Sequence, residues 1–265
     1  ILATGNIAKK FASTINQMGK ENEQLIAVGS RHIESAKAFA MEHDIPRYYE
    51  SYEALVKDQD VEAVYVATPN TLHYEWAVKA MKSGKHVLCE KPLAPCEKQV
   101  KELFETAKEN HVYLMEAFAY QHSPYITAIK KEIEDGTIGE VCYIDSAFIT
   151  SDYNKENIRM RRETLGGCTY DLGVYNTSLT LGLLNEEPEK VEASAIFSEE
   201  KIDKLTSVVM EFADGKKAAF TCGMTLATDQ DRRLDRLEID GTKGSITGTK
   251  FSFNGDGELS YMIRT

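Results

Sequence analysis

The first twelve residues, I-L-A-T-G-N-I-A-K-K-F-A (1–12), decide the fold. They read as the end of a strand, a tight turn and the start of a helix, the order found in a dinucleotide-binding βα unit. Against the fingerprint G-x-G-x-x-G/A, Ala3, Gly5 and Ala8 fall at the three small-residue positions. A backbone approaches a pyrophosphate at the position of Gly5, and the helix that follows points free N–H groups at the anion. Ala3 departs from the pattern, because the first position usually needs glycine for the turn.

We therefore predict that Thr4, Gly5, Asn6 and Ile7 contact a dinucleotide. The alternative is a structural βα turn such as any α/β protein contains. The chain that follows favours the dinucleotide, because short apolar runs alternate with helical patterns. The runs lie at 25–28, 61–67, 86–89 and 112–116, and the helical patterns at 33–43, 71–83 and 97–110. Such repeats with short loops predict a doubly wound parallel sheet, hence a Rossmann-like dinucleotide-binding domain over residues 1–118.

The pattern changes after residue 119. A helix is expected near 125–135, a strand at 141–149 and a helix at about 170–184. Further strands are expected at 191–197, 205–212, 217–224, 234–240 and 244–249, with a hairpin turn at Asp214-Gly215. Consecutive strands with little helix between them predict an α+β domain over 119–265, with a large, mainly antiparallel open sheet. Because Ile1 is not a start methionine and LSYMIRT ends in a strand-like run, we also expect residues missing at both ends, more of them at the C-terminus.

Composition excludes several classes of function. The net charge of −11 over 265 residues argues against a nucleic-acid or anionic-membrane surface, since both need a basic face. No stretch approaches the roughly 18 apolar residues of a membrane helix. The five cysteines are odd in number, scattered and without a C-x-x-C pair, a pattern typical of reduced thiols rather than a disulfide or zinc framework. We therefore predict a cytoplasmic protein with no metal site, no membrane contact and no nucleic-acid partner.

The end of the second strand bears on which dinucleotide is bound. An NAD site usually places an acid there for the ribose 2′-hydroxyl, whereas this chain has Gly29-Ser30-Arg31-His32. Ser30 and Arg31 suit a 2′-phosphate, Arg31 through charge-assisted hydrogen bonds. The alternative is that Arg31 is a solvated surface charge. The pattern favours NADP, with NAD possible.

Two motifs suggest catalytic residues. Lys91 follows the strand at 86–89, and ligands of doubly wound sheets bind beyond the carboxyl ends of strands. In a helix at 170–184, Asp171 and Tyr175 stand one turn apart, where a tyrosine could transfer the proton that accompanies hydride transfer. From the residues alone, a surface lysine, a locally paired aspartate and a core tyrosine are at least as common.

The motifs T-P-N-T-L-H (68–73), H-V-L-C-E-K-P (86–92), M-E-A-F (115–118) and G-G-x-x-x-D-L-G-V-Y (166–175) resemble the Gfo/Idh/MocA oxidoreductase family. The likeness spans nearly the whole chain. Tyrosine rather than histidine in the last motif resembles the branch of glucose–fructose oxidoreductase and dimeric dihydrodiol dehydrogenase. The resemblance implies that Lys91 and Tyr175 are the catalytic pair and that Asp171 positions substrate. It also implies that the open sheet face forms a homodimer or a dimer of dimers.

The resemblance further implies which residues line the nicotinamide and ribose. These are Thr68, Pro69, Asn70, His73, Glu90 and Lys91. Tyr120, Gln121 and Arg162 are candidates for substrate binding, although Gln121 stands where arginine is common in the family and Arg162 is equally consistent with a solvated loop.

The function predicted is hydride transfer between NAD(P) and a sugar, polyol or related cyclic alcohol or ketone. One alternative is a glycosidase that uses tightly held NAD for transient oxidation. The other is a non-catalytic dinucleotide-binding regulator, against which Lys91, Asp171 and Tyr175 argue.

Overall fold

The chain was analysed as a computed structural model, which describes residues 1–19, 24–226, 233–248 and 259–265. It forms two compact units, Ile1–Ala117 and Phe118–Thr265.

Helices and strands alternate along the N-terminal unit. In chain order they are α1 (Asn6–Met18), β1 (Ala27–Gly29), α2 (Ile33–Glu42), β2 (Arg47–Tyr49), α3 (Tyr52–Val56), β3 (Ala63–Val66), α4 (His73–Lys82), β4 (His86–Cys89), α5 (Glu97–Glu109) and β5 (Leu114–Glu116).

The strands of this unit are parallel. β2 pairs with β1, and β3, β4 and β5 pair in that order. Leu2 joins the two groups through parallel bridges to Gly29 and Val66. Leu2 therefore occupies the place of a central strand, and the turn at Gly5 leaves the sheet from its middle, where doubly wound folds bind their cofactors.

Helices cover both faces of this sheet. On one face the core contains Leu55, Trp76 and Leu103, from α3, α4 and α5. On the other it contains Ala8 and Phe39, from α1 and α2. Burial on both faces explains why the strands are nearly continuous apolar runs.

The C-terminal unit consists of helices packed on one large sheet. Its elements are α6 (Pro124–Glu134), β6 (Val141–Ser151), a π-helical turn (Thr169–Gly173), α7 (Val174–Leu184), β7 (Lys190–Phe197), β8 (Asp203–Glu211), β9 (Lys217–Leu226), β10 (Arg233–Gly241), β11 (Ser245–Gly248) and β12 (Tyr261–Arg264).

Within the described residues the sheet order is β12-β11-β10-β6-β9-β8-β7. All neighbours are antiparallel except β6 and β9, which run parallel at the centre. Ile144, Phe148 and Phe220 face α6 and α7 and form the core with Ile129 and Leu179. Because side chains alternate along each strand, the residues between these core positions lie on the opposite, uncovered face.

The predicted fold class is confirmed: a Rossmann-like parallel sheet is followed by a large, mainly antiparallel sheet. Three details differ from the sequence-based expectation. β2 and α3 were not predicted, and the helix expected at 170–184 begins as a π-helical turn before α7. The strand expected at 244–249 is β11, and residue 249 lies outside the described residues. Across the described ranges, no helix is both long enough and apolar enough to cross a membrane.

Candidate active site

The turn before α1 has the geometry of a dinucleotide-binding turn. Ala3 takes a positive φ of 81°, the conformation for which the fingerprint usually places glycine. Gly5 caps α1, and a Cβ added to it would meet no atom within 4 Å. The first turn of α1 contains no acidic residue, and Ala8 is fully buried against the sheet. The turn therefore has open space at Gly5 and no acidic side chain in the first turn of α1, both of which suit an anion at the helix N-terminus.

The end of β1 carries the residues predicted to select the dinucleotide. Ser30 is buried, and its Oγ accepts a hydrogen bond from the His32 backbone N–H at 3.3 Å. Arg31 is exposed and interacts with the phenol of Tyr52. Burial raises the pKa of Tyr52, and Arg31 acts in the opposite direction. The guanidinium of Arg31 thus lies at the carboxyl end of the parallel sheet.

His73 connects the loops that follow β3 and β4. It is 1% exposed, with Nδ1 2.8 Å from the Pro92 carbonyl oxygen and Nε2 2.8 Å from the Thr68 carbonyl oxygen. Burial lowers the pKa of His73, although both carbonyls favour its protonated form. A neutral ring donates to only one of these carbonyls. In this structure His73 therefore connects the loops after β3 and β4 through their backbone.

Lys91 lies in the loop after β4, and its charge acts on the Glu116 carboxylate. Glu90 accepts a hydrogen bond from the Tyr65 hydroxyl, and Glu116 accepts one from the Leu93 backbone N–H at 2.8 Å. Burial raises the pKa of Glu116, an effect that the Leu93 hydrogen bond and the Lys91 charge oppose. The Lys91–Pro92 peptide bond is cis. Glu90 thus has a phenol partner and Glu116 a backbone partner.

In the C-terminal unit, Tyr175 lies on the first turn of α7 among three aromatic rings. Its ring centroid is 5.4 Å from that of Phe118, 5.6 Å from that of Phe148 and 5.9 Å from that of Tyr120. The first two contacts are edge-to-face, an arrangement that fixes ring orientation as well as position. The phenol is therefore carried by a rigid aromatic cluster.

Asp171 lies in the π-helical turn and forms an ion pair that the sequence did not predict. Its Oδ2 lies 2.7 Å from Nε of Arg159, with side-chain exposures of 12% and 38%. Burial disfavours the Arg159 charge, but Asp171 outweighs it, with smaller contributions from Tyr153 and Tyr175, and the pKa of Arg159 is raised. The guanidinium also lies over the Tyr153 ring, 5.2 Å from its centroid. The site thus combines an acceptor, a donor and a phenol within a short stretch of chain.

The three predicted substrate-binding residues lie in different surroundings. The Tyr120 hydroxyl and the Gln121 amide nitrogen each donate to Oγ of Ser178, both at 2.8 Å. Ser178 is three residues after Tyr175 on α7, so the two candidates lie beside the aromatic cluster. Arg162 is exposed in a separate 3₁₀ turn, Arg162–Thr164. It is Arg159, rather than Arg162, that pairs with Asp171.

Two family profiles match nearly the whole chain. The profile described as "Oxidoreductase family, NAD-binding Rossmann fold" matches residues 1–118, and that of the "GFO/IDH/MocA C-terminal domain" matches residues 126–247. The chain belongs to the Gfo/Idh/MocA oxidoreductase family. Its members include trans-1,2-dihydrobenzene-1,2-diol dehydrogenase of Xenopus laevis, 33% identical over 255 residues that make up 96% of this chain and 76% of the relative. The human enzyme of the same name is 29% identical, with 93% and 72% covered.

A solved structure of the family is also similar. KijD10, a 3-ketoreductase from Actinomadura kijaniata crystallised with NADP and TDP-benzene, matches with a TM-score of 0.84 and 27% identity. The match covers 93% of this chain and 74% of that one.

Membership of the Gfo/Idh/MocA family makes this chain a nicotinamide-dependent oxidoreductase that acts on hydroxyl or carbonyl groups. The residues present fit a dinucleotide. The N-terminus of α1 faces open space at Gly5, and Thr68 Oγ1 is buried without a hydrogen-bond partner among the described residues. Across the same ranges, His, Cys, Asp and Glu side chains form no group of three arranged to hold a metal ion.

Sequence reasoning missed Arg159, which is one of three arginines within four positions. The sequence pointed to Arg162 as the candidate for substrate binding. A 3₁₀ turn at Ile158–Met160 instead brings the first of the three to Asp171, and no local pattern distinguishes it from the others.

Proposed function

We propose that this chain is an NADP-linked dehydrogenase or reductase of a carbohydrate-like cyclic alcohol or ketone. The observation that carries the proposal is the Arg159–Asp171 ion pair, whose Asp171 lies in the π-helical turn that leads into the helix of Tyr175. A carboxylate, a guanidinium and a phenol together match a ring that carries several neighbouring oxygens. The names of two relatives, a cyclic diol dehydrogenase and a 3-ketoreductase, support this substrate class.

Each protein group has a defined task in this proposal. Bound NADP supplies or accepts the hydride. Tyr175 transfers the proton at the reacting oxygen, and the Lys91 ammonium favours negative charge that develops there. Asp171 accepts a hydrogen bond from a neighbouring substrate hydroxyl. Tyr120, Gln121 and Arg159 provide further polar groups for binding the substrate.

The catalytic roles are tested by Tyr175→Phe and Lys91→Met. We expect each change to lower kcat by roughly 100- to 10,000-fold, the range of general acid–base catalysis, with the Kd for NADPH nearly unchanged. Tyr175→Phe retains the ring that packs on Phe148, so a loss of activity reports the hydroxyl. Tyr113→Phe, at an exposed tyrosine just before β5, is the matched control. Wild-type turnover in either catalytic variant would refute the mechanism.

Substrate identity is tested by absorbance at 340 nm with NADP and with NAD. The panel contains sugars, polyols, cyclic trans-diols and the corresponding ketones. Net formation or consumption of reduced cofactor supports the proposed reaction. Glycoside cleavage without net change in cofactor would favour the NAD-dependent glycosidase, and cofactor binding without turnover the regulator.

Preference for NADP is proposed on Ser30 and Arg31, and it is supported by the NADP in the KijD10 structure. Removing a charge-assisted contact to a 2′-phosphate costs about 1.5–3 kcal/mol, or roughly 10- to 150-fold in Kd. We expect Arg31→Ala to weaken NADPH by this factor and to leave NADH unchanged. Lys98→Ala, at an exposed lysine on α5, is the control. Equal losses for both cofactors would argue against the phosphate contact.

We further propose that the uncovered face of the large sheet forms a homodimer. An apolar row crosses five strands on this face, where each residue pairs with the next: Ile196, Leu205, Gly223, Ile149 and Leu234. Ile196→Arg with Leu234→Arg should shift the sedimentation coefficient to that of a monomer, whereas Met41→Arg on α2 should not. A dimer of dimers is distinguished from a dimer by the mass of the wild type in solution.

We also propose a cytoplasmic location, with which the five free cysteines are consistent.

A further inference from the structure

Asp203, the first residue of β8, collects hydrogen bonds from the segment that leads into the π-helical turn. Its Oδ2 accepts from the Thr169 backbone N–H at 2.8 Å and from the Thr169 hydroxyl at 2.6 Å. The Cys168 thiol at 3.1 Å and the Thr206 hydroxyl at 3.2 Å donate to the same oxygen. A carboxylate only accepts hydrogen bonds, so it is suited to converging donors.

The backbone comes so close to Asp203 that residue 167 has no room for a side chain. A Cβ on Gly167 would lie 1.9 Å from Oδ1 of Asp203, and the φ of Gly167 is +118°. Thr169 is also the first residue of the π-helical turn and lies in the first turn of the helical run, whose initial N–H groups have no partner within the helix. Asp203 therefore acts as an N-terminal cap supplied by another element, with its charge favourably placed at the positive end of the helix.

Gly167 joins this anchor to both members of the Arg159–Asp171 pair. Its backbone N–H donates to the Arg159 carbonyl at 2.9 Å, and its carbonyl accepts from the Asp171 backbone N–H at 3.1 Å. The far end of the turn is held as well, since a Cβ on Gly173 would lie 3.0 Å from Sγ of Cys222. A π-helical turn is rare and persists where its surroundings fix it.

We propose that Asp203 is a positioning residue of the active site, which sets the Arg159–Asp171 pair and the start of α7 through Gly167 and Thr169. The inference rests on the proposed function for its catalytic consequence. In this role Asp203 contacts neither the substrate nor the cofactor. The geometry of the turn depends on Asp203 whatever the substrate proves to be.

The principal test is Asp203→Asn, which keeps the shape of the side chain and removes its charge. Displacing a substrate-positioning group can lower the rate by up to roughly 100-fold. We expect a 10- to 100-fold fall in kcat at saturating substrate, with the Kd for NADPH within about twofold of wild type. Glu211→Gln removes a carboxylate from the exposed end of the same strand and should retain wild-type kcat. Wild-type kcat in Asp203→Asn would overturn the proposal, as would a loss that merely follows the fraction of unfolded protein.

Two substitutions of Thr169, one conservative and one disruptive, test whether its hydroxyl carries the effect of Asp203. Thr169→Ser keeps the hydroxyl donor and should retain activity, whereas Thr169→Val removes it and should not. If the hydrogen bond carries the effect, Thr169→Val should add little to Asp203→Asn in the double variant. Full additivity of the two losses would contradict this route.

Amide hydrogen exchange separates this inference from the proposed function. Exchange of the amides in 167–175 should be faster in Asp203→Asn than in wild type or Glu211→Gln, with or without a known substrate. Unchanged exchange in this segment would overturn the positioning role. Failure of the wild type to turn over any substrate would count against the proposed function alone.

Discussion

Ala3→Gly should stabilise the N-terminal unit, because Ala3 holds a positive φ of 81° at the cofactor turn. A residue with a Cβ in this region costs about 2 kcal/mol. Glycine loses more entropy on folding, about 0.7 kcal/mol, and the half-buried methyl group contributes about 0.4 kcal/mol. The balance is a gain of roughly 1 kcal/mol. With a urea m-value of about 2 kcal/mol/M, the unfolding midpoint rises by about 0.5 M.

The assay can follow this unit alone. Trp76 is the single tryptophan of the chain, and it is buried in the N-terminal unit with its ring 5.0 Å from that of Tyr52. Its fluorescence during urea unfolding therefore reports the unit that contains Ala3. The Kd for NADPH, measured in parallel, shows whether the turn is retained.

Ala8→Gly is a matched control with the opposite expected sign. Ala8 is fully buried inside α1, so the same chemical change loses helix propensity of about 1 kcal/mol and a buried methyl group worth about 0.8 kcal/mol. Its midpoint should fall by about 1 M. An Ala3→Gly midpoint at or below wild type, with Ala8→Gly behaving as expected, would refute strain at Ala3.

Three further predictions concern charge. Burial lowers the pKa of His73, so the unfolded chain binds this proton more tightly than the folded chain does. The stabilising contribution of the neutral ring is therefore complete above pH 6.5 and is lost as the pH falls below that value. Between pH 7 and 5.5, wild type should lose more stability than His73→Gln, measured by Trp76 fluorescence during unfolding. Burial outweighs the effect of Arg233 and raises the pKa of Asp235 to about 6, so the stability that its protonated form contributes is lost as the pH rises from 4 to 7. Over this range, calorimetry should show the free energy of unfolding of Asp235→Asn increasing relative to that of wild type by at most about 3 kcal/mol. The same pH dependence of stability in both proteins would contradict the raised pKa. Arg159→Lys should lower kcat/KM by roughly tenfold, or about 1.4 kcal/mol, because a lysine ammonium cannot reproduce the directed contact of a guanidinium with the Asp171 carboxylate. An unchanged kcat/KM would show that Arg159 has no part in the reaction.

The alternating pattern predicts the N-terminal fold because each strand is buried on both faces and each helix on one. The elements that it misses are short. β2 has three residues, R-Y-Y, and α3 has five, so neither fills the window over which a period can be recognised. The same limit applies to the parallel pairing of β6 with β9. Helix α7 and the strands β7 and β8 lie between β6 and β9 along the chain. The pairing of β6 with β9 therefore depends on the arrangement of the whole sheet and not on a local sequence pattern.

The site is less accessible to sequence reasoning than the fold. Reading 170–184 as one α-helix places Asp171 and Tyr175 one turn apart, but it assumes a constant period that the π-helical turn at Thr169–Gly173 breaks. Asp203 lies 32 positions beyond Asp171 and reads as an ordinary residue at the start of a strand. Its role depends on four donors that the sheet brings to one oxygen, and no spacing encodes that convergence.

The glycine pair before Asp171 belongs to the motif that carries the family resemblance, and the structure shows why these two positions have no side chain. In this structure a Cβ on Gly166 would lie 2.4 Å from the Arg159 carbonyl oxygen, and one on Gly167 would collide with Asp203. Both positions are therefore filled by the protein itself. The pair allows the chain to pass between the backbone of Arg159, which partners Asp171, and the carboxylate of Asp203, so both glycines meet a packing requirement of this turn.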